Sequence, residues 1–267
     1  MILKYFIKSI MSNKALWAWG VFFMLFWLAM GAFVFSSNIP DSRASALAYA
    51  SSWFGWANII SFSSLAITIS YTIYFGSSSL SYSFRYTKLR PSTYFLSLLA
   101  ASSAMGVVMS SILLASTYAL FSYRFRINLQ PGQPLAAFAL AALSGAFMTV
   151  LAVALVLAAV NYMGVKNINF ISYLPLLLAY AFGFGQLFIK IPAAVQYASP
   201  FNDIMSLLFA SYSGQRIPVY FSNPAAGFLD WRLMAASLLL WILLLSAVDV
   251  RLLRGIKPRA LEESRQV

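Results

Sequence analysis

Residues 135–163 read LAAFALAALSGAFMTVLAVALVLAAVNYM, the larger part of a stretch between Arg126 and Lys166 that carries no charged side chain. A spanning helix needs about 20 mostly apolar residues, because a charge or an unpaired backbone group in hydrocarbon costs several kcal/mol. This stretch supplies that length. Charge-free gaps also run from Lys14 to Asp41, Arg43 to Arg85, Arg90 to Arg124 and Lys166 to Lys190, and a shorter one covers Leu233 to Val248. The chain has 267 residues, 61% hydrophobic and 9% charged, with a mean hydropathy of +0.80. One soluble core would leave far more apolar surface exposed than that composition allows. The expected fold class is all-α: a polytopic integral membrane protein of six transmembrane helices, with residues 1–267 forming a single transmembrane domain.

The predicted spans are Ala15–Phe35, Trp53–Phe75, Thr93–Ser122, Leu135–Met163, Phe170–Ile189 and Trp231–Val250. Six spans place both termini on one side of the bilayer. Lys4, Lys8, Lys14, Arg85, Lys88, Arg90, Lys166, Arg251, Arg254, Lys257, Arg259 and Arg265 then share that side, against Arg43, Arg124, Arg126, Lys190, Arg216 and Arg232 opposite. The two-to-one excess makes the termini cytoplasmic by the positive-inside rule, in a multi-pass protein of the cell membrane. Trp17, Trp19, Trp53, Trp56 and Trp231 fall near span ends, where an amphipathic ring meets both headgroup and hydrocarbon. The net charge of +12 is spread over span ends rather than gathered on one soluble face, so it reads as orientation and not as nucleic-acid binding.

Residues 1–14 form a separate unit. Ile2, Leu3, Phe6, Ile7 and Ile10 recur at helical spacing while Lys4 and Lys8 project elsewhere, the pattern of an interfacial helix on the bilayer. A cleaved signal peptide is the competing reading. The apolar run that follows is longer than such a segment uses, and no small-x-small cleavage site follows it.

Two connections are long. Residues 76–91, on the cytoplasmic side, are polar and basic with interleaved aromatics, and Tyr82, Arg85, Tyr86 and Leu89 fall at helical intervals. Tyr82, Arg85, Tyr86, Lys88 and Arg90 are candidate anchors for a partner, with a solvated loop that only sets topology as the alternative. The extracellular segment 191–230 contains Ser199-Pro200-Phe201-Asn202-Asp203, which predicts a helix capped by Ser199 with Pro200 in its first turn. Phe201, Ile204, Met205, Leu208 and Tyr212 make its apolar stripe and Gly214 ends it. It is too short to span, so a re-entrant or interfacial helix is expected, with a second short piece at Pro224–Phe228. Pro200, Phe201, Ile204 and Leu208 are candidates for an outer gate, and packing on neighbouring spans is the alternative. Residues 251–267 form a cytoplasmic tail.

The chain has no cysteine and no histidine, which removes thiolate and imidazole ligands, cysteine nucleophiles and histidine acid–base chemistry. No catalytic, metal-binding or cofactor-binding residues are assigned. It has no G-x-x-x-x-G-K-[ST] phosphate loop, so it is not expected to bind ATP in the usual way or to be an enzyme. In span two, Ser61, Ser64, Thr68 and Tyr71 or Thr72 share one side and are candidates to line a polar pathway; hydroxyls bonded to their own helix are the commoner alternative. Ser103, Ser110 and Thr117 suggest a close helix contact. Pro175 and Gly183-Phe184-Gly185 are candidates to kink span five. Asp249 is the one acid inside a predicted span, and pairing with Arg251 and Arg254 is its expected environment. Carriers driven by ions bury acids or histidine near the midplane, and that signal is missing.

The order of these parts resembles the permease subunit of a type-2 ATP-binding-cassette exporter over nearly the whole chain. Such permeases have an amphipathic helix before span one, a coupling loop between spans two and three, and short outer helices between spans five and six. Residues 1–14, 76–91 and 200–228 correspond. The run Arg85-x-x-x-x-Arg90-Pro91-Ser92 is similar to the family's basic loop and proline before span three, and Tyr197-Ala198-Ser199-Pro200-Phe201 resembles its outer Pro-aromatic element. The acidic residue and Gly-Thr pair often found in that coupling loop are absent. The resemblance implies an exporter permease that is not itself catalytic. Its partners would be a second permease, as homo- or heterodimer, and separate ATP-binding-cassette ATPase subunits holding ATP and Mg. Substrate would leave along the dimer interface beside spans two and five. An ion-coupled secondary carrier and a non-transporting assembly or anchoring subunit are the alternatives.

The topology makes a direct prediction in this naturally cysteine-free chain. Single cysteines at Ser78 and Ser264 are expected to resist an impermeant thiol reagent in intact cells, while those at Ser45 and Gln215 are labelled; labelling of Ser78 and Gln215 from the same side contradicts six spans.

Overall fold

The computed structural model describes residues 2–40, 42–163, 168–221 and 227–256. It is nearly all helix, and six of its helices are long and apolar enough to cross a membrane: Lys14–Phe33, Arg43–Tyr86, Pro91–Phe125, Pro134–Met163, Asn169–Leu187 and Trp231–Arg254. The chain is a multi-pass membrane protein. The face carrying the N-terminal helix and the end of span six is called here the terminal face, and the opposite face the distal face. The predicted piece at Pro224–Phe228 lies largely outside the described residues, as do Lys166 and tail residues 257–267.

Spans two and four are the centre of the bundle. Two thirds or more of their most apolar windows are buried (67% and 72%), against 28% for span five and 22% for span six. Those outlying spans leave leucines such as Leu240, Leu243 and Leu244 exposed, as lipid-facing helices do. Between helices in lipid, close packing replaces the hydrophobic drive available in water, so small residues decide where backbones meet. Spans three and four cross on Gly106 and Gly145. A Cβ on Gly145 would lie 2.9 Å from the Ser102 carbonyl oxygen, and one on Gly106 would lie 2.8 Å from that of Ala141. Ser110 and Thr117 are fully buried, yet the closest approach runs through Ser102 and Gly106 rather than Ser103.

Span two corrects the sequence-based boundaries most. Expected over Trp53–Phe75, it is one helix from Arg43 to Tyr86, begun by Ser42, whose hydroxyl accepts from the Ser45 amide. The segment expected as a loop at 76–91 is therefore helical through Tyr86, and only Thr87–Arg90 connects it to Pro91, the first residue of span three. Its serines look like loop residues by composition. In the helix Ser77 and Ser79 donate to the carbonyls of Tyr74 and Gly76, so their polarity is met by the backbone. At about 1.5 Å per residue, 44 residues extend about 66 Å, beyond the roughly 40–45 Å of a whole bilayer.

The N-terminal helix Ile2–Met11 lies against the start of span three, burying Phe6 and Ile10. The Phe6 ring meets Tyr94 edge-on at 5.1 Å, and Tyr94 meets Phe84 of span two at 5.7 Å. Span five is irregular, as Pro175 and its glycines suggest: an α-helix over Asn169–Leu178, a π turn over Ala179–Phe184 and a 3₁₀ turn over Gly185–Leu187. Spans one and four contain π turns as well, at Ala18–Phe22 and Ala159–Met163.

The Gly145 crossing yields a test. Gly145→Leu forces a side chain into the Ser102 backbone and is expected to cost about 1–3 kcal/mol or more in mixed-micelle unfolding. Gly76→Ala, where a Cβ would meet only Leu80 of its own helix, is expected to be neutral or to stabilise by up to about 1 kcal/mol. Equal stability of the two variants contradicts the crossing.

Candidate functional site

Two surfaces stand apart from the packed bundle, one on each face. On the terminal face, the last turns of span two are held on one side and bare on the other. Leu80 is buried, Phe84 packs on Tyr94, and the Ser81 hydroxyl donates to the Ile256 carbonyl at 3.2 Å. Opposite them Tyr82 and Tyr86 are 64% and 71% exposed with rings 4.7 Å apart, and Arg85 is exposed beside them. Lys88 and Arg90 are exposed in the four-residue connection, which Thr87 closes by donating to Ser83 at 2.6 Å. The five anchor candidates thus share a short, basic and aromatic stretch on a fixed helix end.

On the distal face, the helix Pro200–Ser213 is sunk between spans two, four and six and the end of span five, with every residue but Ala210 buried. Pro200 occupies its first turn and Gly214 ends it at φ +67°, a conformation that glycine adopts without cost. Ser199 sits at the cap position, but its hydroxyl makes no capping hydrogen bond and is buried without a partner, which corrects the expected cap. Phe201, Ile204 and Leu208 are in the core, where Phe201 meets Phe147 at 5.5 Å. This helix repairs the irregular end of span five. The π turn disturbs the regular carbonyl ladder, and Asn202 Nδ2 donates both to the Phe182 carbonyl at 2.8 Å and to Gln186 Oε1 at 2.9 Å.

Beside this helix lies a cavity of about 1020 Å³, between spans one, two and five and the distal segment. Its wall is aromatic: Trp27 and Trp53 meet Trp56 at 5.8 and 4.9 Å, and Trp56 meets Phe184 at 5.4 Å. Gly31 lets the Trp53 ring lie against span one, because a Cβ there would overlap it. Tyr49 joins the wall and donates to the Gly31 carbonyl at 3.0 Å. Among the lining residues only Arg216 is charged. Sequence reading missed this cavity, since its residues come from four separate segments; the crowd of aromatics at the distal ends of spans one, two and five was the available signal.

The hydroxyl row of span two does not line it. Thr68 and Thr72 donate to carbonyls four residues back at 3.0 and 2.9 Å and Ser64 does so at 3.4 Å, while Ser61 is fully buried with its hydroxyl unpartnered. Back-bonding of this kind satisfies a hydroxyl in an apolar helix.

Asp249 is fully buried and neither of its oxygens has a hydrogen-bond partner; Arg251 and Arg254 are exposed, so the expected local pairing is not made. The side chains sit on different faces of the helix, which sequence proximity concealed. Asp203 is also buried, and burial pushes its pKa up to about 8, opposed only in part by the hydrogen-bonding Ser237 side chain. No known protein family and no curated protein matches the chain.

Proposed function

We propose that the chain is the permease subunit of an ATP-driven exporter of the type-2 ATP-binding-cassette class, non-catalytic itself and working as a dimer with separate nucleotide-binding subunits. The observation that carries this reading is the terminal end of span two, bare on one side. The helix is about 66 Å long, more than a bilayer is thick, and its end offers Tyr82, Arg85 and Tyr86 on one side, while Leu80, Phe84 and Ser81 fix the other side to the bundle. A push on that end is carried as rigid-body movement into a helix at the centre of the bundle. The N-terminal helix braces the same region through Phe6 and Tyr94, and the chain has no phosphate loop, so the push comes from another polypeptide. On this reading the terminal face is cytoplasmic, which the basic excess supports, and the protein belongs to the cell membrane.

One observation favours a second reading, the ion-coupled carrier. Asp249 is buried without a partner and Asp203 is buried with only the Ser237 side chain beside it, and acids without a balancing charge inside membrane proteins commonly carry protons or ions. They lie towards opposite ends of span six: Asp249 in its last turns and Asp203 in the distal helix beside Ser237. No midplane relay connects them among the described residues, so the exporter reading is preferred.

The coupling surface is tested by Arg85→Glu and Tyr86→Ala beside Arg265→Glu in the tail. Removing a buried interface anchor costs about 2 kcal/mol or more, roughly a thirtyfold loss of affinity, so both span-two variants are expected to insert normally yet lose ATPase co-purification and transport. The tail variant is expected to keep both. Wild-type co-purification and transport in both span-two variants would reduce this stretch to a topological signal.

A further inference from the structure

We infer that the distal cavity binds an amphiphile with an anionic head, its chain lying on the Trp27–Trp53–Trp56–Phe184 wall and its head at Arg216. The inference rests on the exporter reading only in taking this ligand as cargo; binding itself does not require it. Size is the first argument. Ligand pockets commonly enclose about 300–1,000 Å³, and this cavity of about 1020 Å³ stands at the upper end of that range. Its chemistry is the second. Filling so aromatic a space with water forgoes hydrogen bonds on every side, whereas an acyl or prenyl chain gains contact with ring faces throughout.

Charge selects the head. The cavity lining holds Arg216 and no acidic residue. The guanidinium carbon lies over the Phe228 ring, 5.8 Å from its centre, and a guanidinium so placed can still turn edge N–H groups to a phosphate or carboxylate. Lys190, two residues beyond the lining Phe188, adds a second cation at the same end of span five, with its amine 6.0 Å from the Tyr220 ring. A cationic or zwitterionic amphiphile would meet this end unfavourably or without gain. Of the uncharged lining residues Gln215 and Ser52, the Ser52 hydroxyl already donates to the Ala48 carbonyl at 3.0 Å, which leaves Arg216 to meet a charged head.

The test uses the full chain in phosphatidylcholine nanodiscs, without any ATPase, and reads quenching of tryptophan fluorescence. The probes are doxyl-labelled stearate, doxyl-labelled phosphatidylglycerol and doxyl-labelled phosphatidylcholine with the nitroxide at matched depth. Quenching by an anionic probe is expected to saturate at a mole fraction at least tenfold below that of the phosphatidylcholine probe. Arg216→Gln is expected to erase that preference, Arg216→Lys to keep most of it, and Arg232→Gln, at the start of span six, to leave it unchanged. Arg216 is exposed, so its loss does not endanger folding. Preference for stearate identifies a single-chain ligand, and preference confined to phosphatidylglycerol identifies a resident bilayer lipid; both retain the anionic head. Equal, unsaturable quenching by all three probes, or a preference that survives Arg216→Gln, overturns the inference. Because no ATPase is present, that failure leaves the exporter reading untouched, and loss of the ATPase partner leaves this binding untouched.

Discussion

Every backbone polar group that enters hydrocarbon must find its partner inside the protein, and this constraint shapes the chain from end to end. It makes the six long segments helices, and many of their hydroxyls donate backwards along the same helix, as Ser63, Thr68, Ser102 and Thr149 do. Where the helix is not regular, the missing partner is brought from elsewhere. Asn202 supplies the donor for Phe182 at the π turn of span five, and Gly132 and Gln133 donate to the carbonyls of Tyr212 and Ser211, closing the distal loop onto the sunken helix. The distal helix is therefore part of the bundle's hydrogen-bond closure as well as its packing.

With the helix backbone and many hydroxyls satisfied locally, shape does most to join the spans. The Gly106–Gly145 crossing, Gly55 under Met205 and Gly31 under Trp53 are the places where absent side chains let neighbours approach. The same device that seals the core at Gly145 opens space at the distal face: Gly31 seats Trp53 flat against span one, and the ring network from Phe35 through Trp53 and Trp56 to Phe184 forms a wall instead of filling the interior. Span two unites the two candidate surfaces. Its distal third carries Tyr49, Trp53 and Trp56, and its terminal end carries Tyr82, Arg85 and Tyr86, so one continuous helix joins the two surfaces.

The six spans were legible because hydrocarbon tolerates no charge, and charges in the sequence therefore mark the segment ends. The N-terminal helix was legible from its spacing, and the distal helix from Pro200 and Gly214. The extent of span two was not. Serine-rich residues 76–83 are ambiguous until it is known that their hydroxyls reach the helix backbone, and the cue at Pro91 marks only where the next helix starts. Asp249 was misread because residues two and five positions away along a helix face different ways, and the Ser199 cap because backbone position does not fix a rotamer. The cavity depends on long-range placement of rings from distant segments, which no local pattern encodes.

The central claim is that motion in this chain is driven by nucleotide hydrolysis in another subunit. Gentle purification of the tagged full chain, with identification of stoichiometric partners and measurement of ATP hydrolysis and nucleotide binding, tests it most directly. The account predicts a co-purifying ATPase whose activity resides in that partner, with no saturable nucleotide binding by the chain once separated. A stable, functional chain that moves its cargo on an ion gradient with no ATPase attached, or stoichiometric ATP binding by the isolated chain, would contradict it.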